Sequence, residues 1–385
     1  MLYTLYHKCL RCLLLVLFFK IALPITTNAQ QSKLEKLIDK VYNFIEGDSA
    51  HPKTKYFVAI PIWGIYPETG IQIGLSNAFF YNAGKDKITR TSLARVNVSL
   101  SQYKQYAIKP DINYFSKNNL YNLRLSYNYT YFNEFFYGIG NKSSNTEREL
   151  YFFKLNQFDL RLTKQFLKNT YIGLQAQAER MSDIDYENKN GLLNSGNIAG
   201  GKGSTVAGLG FVVAYDSRDK IFFPLTGTYA EISNALFNKS MGSDFNYNAL
   251  LIDLRKYYQL KKYNVITFQY YSRLNFGQAP FRQLATIGSD MFMRGYYRGR
   301  YRDNLMYAFQ AELRQSIWGL LGFAVFAGAG NVGSNTKDLL GSIMPNAGIG
   351  IRGVALRKEH FNVRIDYGIG SNGNSGFYFT MGEAF

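Results

Sequence analysis

The sequence predicts an all-β fold: a 16-stranded antiparallel transmembrane β-barrel preceded by a short amphipathic helix. The chain begins with a segment typical of export, and no helix-length apolar run follows it. Its 385 residues include 31 tyrosines, 30 phenylalanines and 35 glycines but only 8 prolines, and the mean hydropathy is −0.19. Many segments alternate apolar and polar side chains over nine to twelve residues. Together these features are typical of barrels that cross a membrane with strands.

Residues 1–29 have the order of a secretory signal peptide. Basic residues come first, an apolar stretch from Leu13 to Ile25 follows, and small residues end at Ala29. The alternative is a membrane anchor. Lys20 interrupts the apolar stretch, which is shorter than the ~20 residues that a spanning helix needs. We therefore expect export and cleavage after Ala29.

The mature chain offers few residues for metal or thiol chemistry. Both cysteines, Cys9 and Cys12, lie in the signal segment, so disulfides, thiol catalysis and thiolate metal sites are excluded. Two histidines remain after cleavage, His51 and His360, which are too few for a histidine metal cluster. We expect no metal site and no cofactor.

The formal net charge of +17 and the pI near 9.5 narrow the choice of partners. The basic residues are spread along alternating strands rather than clustered, and an exported protein rarely meets nucleic acid, so nucleic acid is not expected. Outer-membrane lipids and lipopolysaccharide are the expected counter-charges. An unidentified periplasmic or client protein stays open as a partner, and so does a homodimer, although nothing in the sequence indicates one.

A periplasmic segment, residues 30–54, precedes the barrel. Within it, 32–48 places five aliphatic side chains at helical spacing, from Leu34 to Ile45, with lysines and acids between them. This pattern predicts one amphipathic helix on the periplasmic mouth of the barrel or on the membrane surface. The alternative is a frayed linker.

Residues 55–385 make up the predicted barrel. In 120–131 and again in 361–369, apolar side chains fall on one face and polar ones on the other. Each run is long enough for the ~9–11 residues that a tilted strand needs to cross a bilayer. A secreted β-sandwich would also alternate, but its strands are usually about 5–6 residues long. The sixteen predicted strands are 55–63, 70–81, 89–100, 104–114, 119–132, 149–164, 170–182, 203–216, 227–239, 245–259, 263–275, 304–316, 320–328, 343–356, 360–370 and 376–385.

The connections between these strands alternate in length. Several are tight polar turns, such as 116–119, 167–170 and 357–360. Because the exported amino terminus starts in the periplasm, the long connections all fall on the outer side, as in bacterial barrels. The long connections are 133–148, 183–202, 276–303 and 329–342.

The loop 276–303 contains four arginines and four aromatic residues within 291–303. Its Arg294-Gly295-Tyr296 resembles the arginine-glycine-aromatic tip of the bacterial surface antigen superfamily. That superfamily includes the barrel-assembly (BamA/TamA) proteins and the two-partner-secretion transporters of the outer membrane. The resemblance implies that the loop folds back into the lumen as a plug, where the arginine meets acidic side chains of the inner wall.

Three further stretches are similar to the same superfamily and come in the same order. Residues 208–232 carry a D-x-R-D…P-x-x-G segment, 311–332 look like the strand pair after the loop, and the chain ends GFYFTMGEAF, like a terminal recognition signal. Glu312 matches an acidic wall position that faces the lumen. The other residues that carry the resemblance are Asp216, Arg218, Asp219, Pro224, Gly227 and Phe385.

The chain also departs from the superfamily. The second acidic wall position is Gly328 here, so Arg294 needs another partner, such as a backbone carbonyl or a water molecule. Glu383 is unusual so close to the end of the terminal signal, and the strand end at the periplasmic interface would make its charge tolerable. Only 30–54 stands where other members carry periplasmic POTRA domains, so the resemblance is to a member that lacks them.

The resemblance implies an integral outer-membrane protein that inserts or translocates protein, or lipid. The route would be a lumen plugged by the R-G-Y loop, together with a weak seam between the first and last strands. Pro61 cannot donate a ladder hydrogen bond, and Gly376 and Gly382 weaken the last strand. The alternative for Pro61 is that it merely ends the first strand near the outer rim.

Two other functions are weighed against this one. A passive pore or structural barrel is the main alternative, which nothing in the sequence excludes. An enzyme is not expected, because His360 is the one histidine of the barrel region, falls in a predicted periplasmic turn, and no G-x-S-x-G motif is present. No catalytic, cofactor-binding or metal-binding residues are assigned.

Overall fold

The structure is a computed structural model that describes six ranges of the chain. These are 28–47, 53–66, 69–84, 88–143, 148–318 and 320–385. The predicted signal peptide up to residue 27, including both cysteines, lies outside the described residues, and so does His51. The predicted amphipathic helix is present as α1, Asn28–Glu46. No helix within the described ranges is long and apolar enough to cross a membrane.

Sixteen antiparallel strands form one sheet, in which each strand pairs with the next one along the barrel. The predicted number and order of strands are confirmed. The strands are β1 Lys55–Tyr66, β2 Gly70–Tyr81, β3 Ser92–Ser101, β4 Tyr106–Phe115, β5 Tyr121–Phe136, β6 Glu149–Leu167, β7 Thr170–Tyr186, β8 Ser204–Asp216, β9 Gly227–Phe237, β10 Tyr247–Lys261, β11 Asn264–Gly277, β14 Leu305–Trp318, β15 Leu321–Gly333, β16 Met344–Leu356, β17 Phe361–Gly370 and β18 Ser375–Met381. Between β11 and β14, two short strands form a separate hairpin, β12 Ala285–Ile287 and β13 Tyr301–Asp303, and a short helix, α2 Thr336–Leu340, precedes β16.

The alternation along the strands places apolar side chains outside and polar ones inside. On β17, Ile365, Tyr367 and Ile369 are exposed, whereas Arg364 and Asp366 between them are buried. This is the reverse of a soluble sandwich and matches a sheet with lipid outside and a polar interior.

The wall of the barrel differs in height around its circumference. Strands β5, β6 and β7 have 16, 19 and 17 residues, whereas β18 has 7. At a rise of ~3.4 Å per residue, β6 is roughly 65 Å long and β18 roughly 24 Å. On the outer side, β5 and β7 continue past their predicted ends to Phe136 and Tyr186, whereas β6 extends on the periplasmic side, to Leu167.

The seam is the boundary between the first strand, β1, and the last, β18. Among the described residues, no backbone ladder joins these two strands. The first strand is longer than predicted, because β1 continues past Pro61, which lies opposite Leu75, and ends at Tyr66. The alternative in which Pro61 ends the strand is therefore wrong. Since β1 is an edge strand of this sheet, the missing N–H of proline is tolerated there.

Side chains close the seam where backbone bonds do not. The rings of Trp63 on β1 and Phe379 on β18 are stacked with centroids 6.0 Å apart. At the periplasmic end, one buried cluster joins β1 to β17. Its members from these strands are Tyr56, Val58, Ile60, Phe361 and Val363.

The last strand is shorter than predicted. β18 ends at Met381 rather than at residue 385, and the chain then turns into the lumen. Gly382 has a φ of +82°, a conformation that glycine adopts at little cost. In the lumen, Nη2 of Arg314 donates to the backbone oxygen of Phe385 at 2.7 Å. The terminal residues therefore belong to the barrel interior and not to the lipid-facing end of a strand.

Aromatic side chains pack at both ends of the lumen, and cavities lie in the middle. At the outer end, Phe281 of the long loop packs in an apolar core with wall residues such as Phe136 and Tyr151, so this part of the lumen is apolar rather than polar. At the periplasmic end, the ring of Phe222 meets that of Phe361 at 5.5 Å. Between them lie cavities of about 560 and 510 Å³.

Candidate functional site

The long loop enters the lumen through a close approach of two backbones. At its tip, Gly295 has a φ of +111°, and a Cβ there would lie 2.7 Å from the carbonyl carbon of Ile369. On the wall, a Cβ at Gly368 would lie 2.6 Å from the backbone oxygen of Arg294. Both positions need glycine, so the tip is held directly against β17. The tip of the loop thus lies against the inner wall; that the loop acts as a plug stays a prediction.

Arg294 has two carboxylate partners and is withdrawn from water. Its side chain has no exposed surface. One guanidinium nitrogen, Nη2, contacts Glu312 on β14, and the other, Nη1, lies 2.6 Å from Oδ2 of Asp366 on β17. The guanidinium also lies 3.5 Å from the ring centroid of Phe326 on β15, at cation–π distance.

The expectation that a backbone carbonyl or water replaces the second acid is wrong, because Asp366 supplies that carboxylate from another strand. The position of Gly328 is filled by a neighbour instead. A Cβ at Gly328 would lie 2.6 Å from Oδ1 of Asn346. The amide of Asn346 donates to the backbone oxygen of Arg294 at 2.8 Å, so it fixes the tip where an acid would otherwise stand.

Three further arginines of the wall share these two carboxylates. Arg314 Nε lies 2.7 Å from Glu312, Arg352 Nη1 lies 2.5 Å from Asp366, and Arg364 also contacts Asp366. Such buried ion pairs are stable only when each charge keeps its partners. We call Arg294 and the wall residues Glu312, Arg314, Arg352, Arg364 and Asp366 the arginine network.

The inward-turned end of the chain is part of the same network. Glu383 lies 3.0 Å from Nε of Arg352 and 3.4 Å from Nε of Arg314. Its charge is therefore neutralised in the lumen. The expectation from the sequence, that this charge lies at the periplasmic interface, is wrong. Phe385 is held at the same place through Arg314.

The tip also contacts the strand at the seam. The backbone N–H of Gly295 donates to the hydroxyl of Tyr378 on β18 at 2.9 Å. The hydroxyl of Tyr296 donates to the backbone oxygen of Pro345 at 2.6 Å and accepts from the N–H of Ser371 at 2.9 Å. The loop is thus fixed to β16, β17, β18 and the turn between the last two strands.

The D-x-R-D…P-x-x-G residues lie apart from this network, in and beside the turn from β8 to β9. Arg218 donates to both carboxylate oxygens of Asp216, at 2.9 and 2.8 Å, and Arg90 donates to the same group at 2.6 Å. Burial opposes the charge of Arg218, but the Asp216 carboxylate outweighs it and raises the pKa of Arg218. These residues hold the turn that carries Phe222 into the lumen.

The remaining residues of this motif shape the same turn. Asp219 accepts from the N–H groups of Leu225 and Thr226, at 2.9 and 3.2 Å. A Cβ at Gly227 would lie 2.4 Å from a backbone oxygen, and Pro224 is buried beside it. At the seam strand, Gly376 lies opposite Gly368 in the β17–β18 ladder.

Sequence reasoning placed Arg294 and Glu312 together and missed the rest of the network. Asp366 and Arg364 lie on the lumen face of the predicted strand 360–370, which was the signal available for them. The positions of Asn346 and Tyr378 depend on how far the strands are shifted against each other, which alternation alone does not give.

The fold is similar to those of solved outer-membrane barrels. BamA from Haemophilus ducreyi lacking POTRA domains 1–3 has a TM-score of 0.53 at 16% identity, over 86% of this chain and 70% of that one. CdiB from Acinetobacter baumannii scores 0.55 at 13% identity, over 85% and 59%, and CdiB from Escherichia coli scores 0.58 at 10% identity, over 86% and 63%. The chain thus spans less than two thirds of either CdiB protein. A sequence comparison with curated proteins finds no significant match.

Within the part of the chain that the structure describes, no POTRA domain precedes β1; helix α1 stands there instead. The family model of the Omp85 superfamily domain matches residues 88–385, which is most of the chain. The chain belongs to the Omp85 superfamily and is an outer-membrane β-barrel.

Proposed function

We propose that this protein inserts or translocates polypeptide, or lipid, at the outer membrane through its lumen and its seam, with the long loop as plug. The observation that carries the proposal is the missing ladder between β1 and β18 among the described residues. Backbone N–H and C=O groups left unpaired in lipid cost several kcal/mol each, so an open sheet edge is a place where another strand or a headgroup gains hydrogen bonds.

The plug and the seam are connected by direct contacts. Tyr378 of β18 accepts a hydrogen bond from the tip, and Asp366 of the neighbouring strand binds Arg294. Movement of β18 away from β1 therefore pulls on the groups that hold the loop. This geometry supports coordinated opening of the seam and the lumen.

A passive pore is the second candidate. It is less well supported, because aromatic side chains pack into the lumen at both ends. No catalytic chemistry is part of the proposal.

The test is a crosslink across the seam in the mature chain, which is expected to contain no cysteine. Trp63→Cys with Phe379→Cys, joined by a short bismaleimide, fixes β1 to β18. Trp63→Cys with Ile73→Cys is the matched control, because these positions face each other within the β1–β2 ladder. Both proteins are reconstituted in liposomes, and the folding rate of an unfolded eight-stranded reporter barrel is measured.

We expect the seam crosslink to abolish the acceleration of reporter folding and the control crosslink to leave it unchanged. Full acceleration by a seam-locked, folded barrel would overturn the proposal. Ion conductance without any acceleration by the uncrosslinked protein would favour the passive pore.

A further inference from the structure

We propose that the cavity beside the seam binds the anionic headgroup of a lipid, whose acyl chains leave through the seam into the bilayer. The inference rests on the proposed function only in using the same seam. The cavity has a volume of about 510 Å³. Apolar residues of the seam line one side of it, and polar residues of β2, β3 and β4 line the other.

The apolar side faces the seam strands. Ile62 and Trp63 of β1 stand there with Phe379 and Met381 of β18. The side chain of Trp63 is 60% exposed on the lipid-facing surface, so one aromatic residue borders both the bilayer and the cavity. Aromatic rings of this kind are typical of membrane interfaces.

The polar side carries a cation without a counter-ion. Lys109 on β4 is exposed in the cavity and has no hydrogen-bond or ion-pair partner among the described residues, unlike Arg364, which binds Asp366. Arg95 is bound to Asp111 through Nε at 2.8 Å. A positive group in a narrow cavity with apolar walls attracts an anion more strongly than one on an open surface.

Two further polar groups of the cavity wall lack hydrogen bonds to the residues that the structure describes. Asn97 lies directly opposite Lys109 in the β3–β4 ladder, and its Oδ1 is buried without a partner. Oγ1 of Thr380 on β18 is also buried without a partner. Buried polar groups are usually hydrogen-bonded. The ammonium of Lys109 and the hydroxyl of Thr380 can donate to acceptor oxygens, whereas Oδ1 of Asn97 needs a donor, so together they point to a ligand that carries both acceptor oxygens and a hydroxyl group.

Two acids of the cavity make their direct contacts with groups other than Lys109. Glu383 is bound to Arg352 and to the amide of Asn362. Asp290 lies 3.5 Å from Arg364. Lys109 therefore has no direct ion pair among the described residues, and a phosphate or carboxylate is the group that fits it.

The distance from the cation to the seam suits an amphiphile. Strands β1 and β4 are three strand spacings apart, about 14 Å along the wall. A headgroup at Lys109 can therefore keep its acyl chains at Trp63 and Phe379. A free phosphate carries the same charged group but has no acyl chains that could contact the apolar side of the cavity.

The test uses the full chain in detergent, with Trp318→Phe so that Trp63 is the remaining tryptophan. The probes are a brominated-chain phosphatidylglycerol, which quenches tryptophan on contact, a brominated-chain phosphatidylcholine and inorganic phosphate as competitor. Binding is compared in the parent, Lys109→Gln, Lys109→Arg and Thr380→Val. Lys168→Gln is the matched control, because Lys168 is an exposed lysine in a periplasmic turn. An unheated gel shift verifies that each variant is folded.

We expect saturable quenching by phosphatidylglycerol, with at least about tenfold weaker binding of phosphatidylcholine, because the choline cation of that lipid offsets the phosphate charge that Lys109 attracts. Lys109→Gln should weaken the binding of phosphatidylglycerol by a similar factor, and Thr380→Val should weaken it by less. Lys109→Arg should bind this lipid as the parent does, and Lys168→Gln should leave the binding unchanged.

Unchanged binding in folded Lys109→Gln would overturn the site. Inorganic phosphate that binds as tightly as phosphatidylglycerol would overturn the lipid assignment, and so would Lys109-dependent displacement of the lipid by a strand-forming peptide. The assay measures binding without transport. The lipid site can therefore be disproved while the seam crosslink still blocks reporter folding. It can also be supported while the seam crosslink has no effect on reporter folding.

Discussion

Arg294 is the side chain on which the position of the loop tip depends most. It is fully buried, and its charge is balanced by carboxylates from two different strands. Arg314, Arg352 and Arg364 would continue to neutralise those carboxylates in its absence, so its removal does not leave bare acids. What is lost is the attachment of the loop tip to the wall.

Arg294→Ala should release the loop and lower the stability of the barrel. Breaking a buried ion pair costs about 3–5 kcal/mol, and the remaining arginines should keep the loss at or below the lower figure. Limited proteolysis of the loop and the thermal unfolding midpoint measure the two effects. Arg294→Lys should be intermediate, because an ammonium cannot bridge both carboxylates as the planar guanidinium does.

Arg298→Ala is the matched control for this comparison. Arg298 belongs to the same loop but is exposed. Equal cleavage of the two alanine variants would show that the arginine network does not hold the loop in the lumen.

His360 should make the barrel sensitive to mild acid. Its ring lies between those of Phe223 and Tyr263, at 4.2 and 4.5 Å. Burial lowers its pKa to about 4, Lys220 acts in the same direction, and Glu383 opposes both. The unfolded chain takes up this proton near pH 6.5, so the stabilising contribution is complete above that pH and is lost as the pH falls towards 4.

Unfolding midpoints at pH 7.5, 6 and 4.5 measure this effect against His360→Asn, which tolerates the same positive φ. The difference in the free energy of unfolding between the parent protein and His360→Asn should shrink by up to roughly 3 kcal/mol from pH 7.5 to 4.5, since one pKa unit corresponds to about 1.36 kcal/mol. A constant difference would mean that protonation of His360 is not linked to folding.

Among the elements, helix α1 has a specific place at the periplasmic end of the seam. Glu46 accepts from the backbone N–H groups of Arg357 and Lys358, at 3.1 and 2.8 Å. The backbone oxygen of Glu46 accepts from Lys53 at 2.9 Å, directly before β1. The helix thus connects the β16–β17 turn to the start of the first strand.

Glu46→Ala should loosen the start of β1, because two backbone N–H groups of the turn lose their acceptor. Faster hydrogen–deuterium exchange at residues 53–60 is the expected result. Lys40→Ala, an exposed position on the same helix, is the control. If exchange in β1 is equal in both variants, the helix does not stabilise the seam.

The elements also show what a sequence can predict for such a barrel. Lipid on one side and a polar interior on the other impose a period of two, so sixteen strands could be counted from alternation. Alternation does not say where pairing stops. The end of β18 at Met381 depends on Gly382 and on lumen arginines far away in sequence, and β1 passes Pro61 because no ladder requires its N–H.

The same limit applied to the site. Arg294 and Glu312 could be paired through a resemblance to a known family. Asp366 could not, because its approach to Arg294 depends on the shift between strands and on two facing glycines, Gly295 and Gly368.

For the whole molecule, the extent of strand pairing predicts resistance to detergent. Every strand of the described sheet is paired with at least one neighbour, and lipid or detergent tails offer no competing hydrogen bonds. Unheated samples in dodecyl sulfate should therefore migrate faster than boiled ones on a gel. Identical migration of the two samples would contradict a folded barrel.

The short last strand also has a mechanical consequence for the surrounding bilayer. Tilted by ~40°, the 7 residues of β18 span roughly 18 Å along the membrane normal, about 7 Å less than the ~25 Å apolar band of an outer-membrane barrel. Such a mismatch costs a fraction of a kcal/mol per Å, because the lipids beside β18 must compress and tilt to match the shorter strand. Elastic energy is thus concentrated at one point of the circumference, and the work needed to part the bilayer is lowest there.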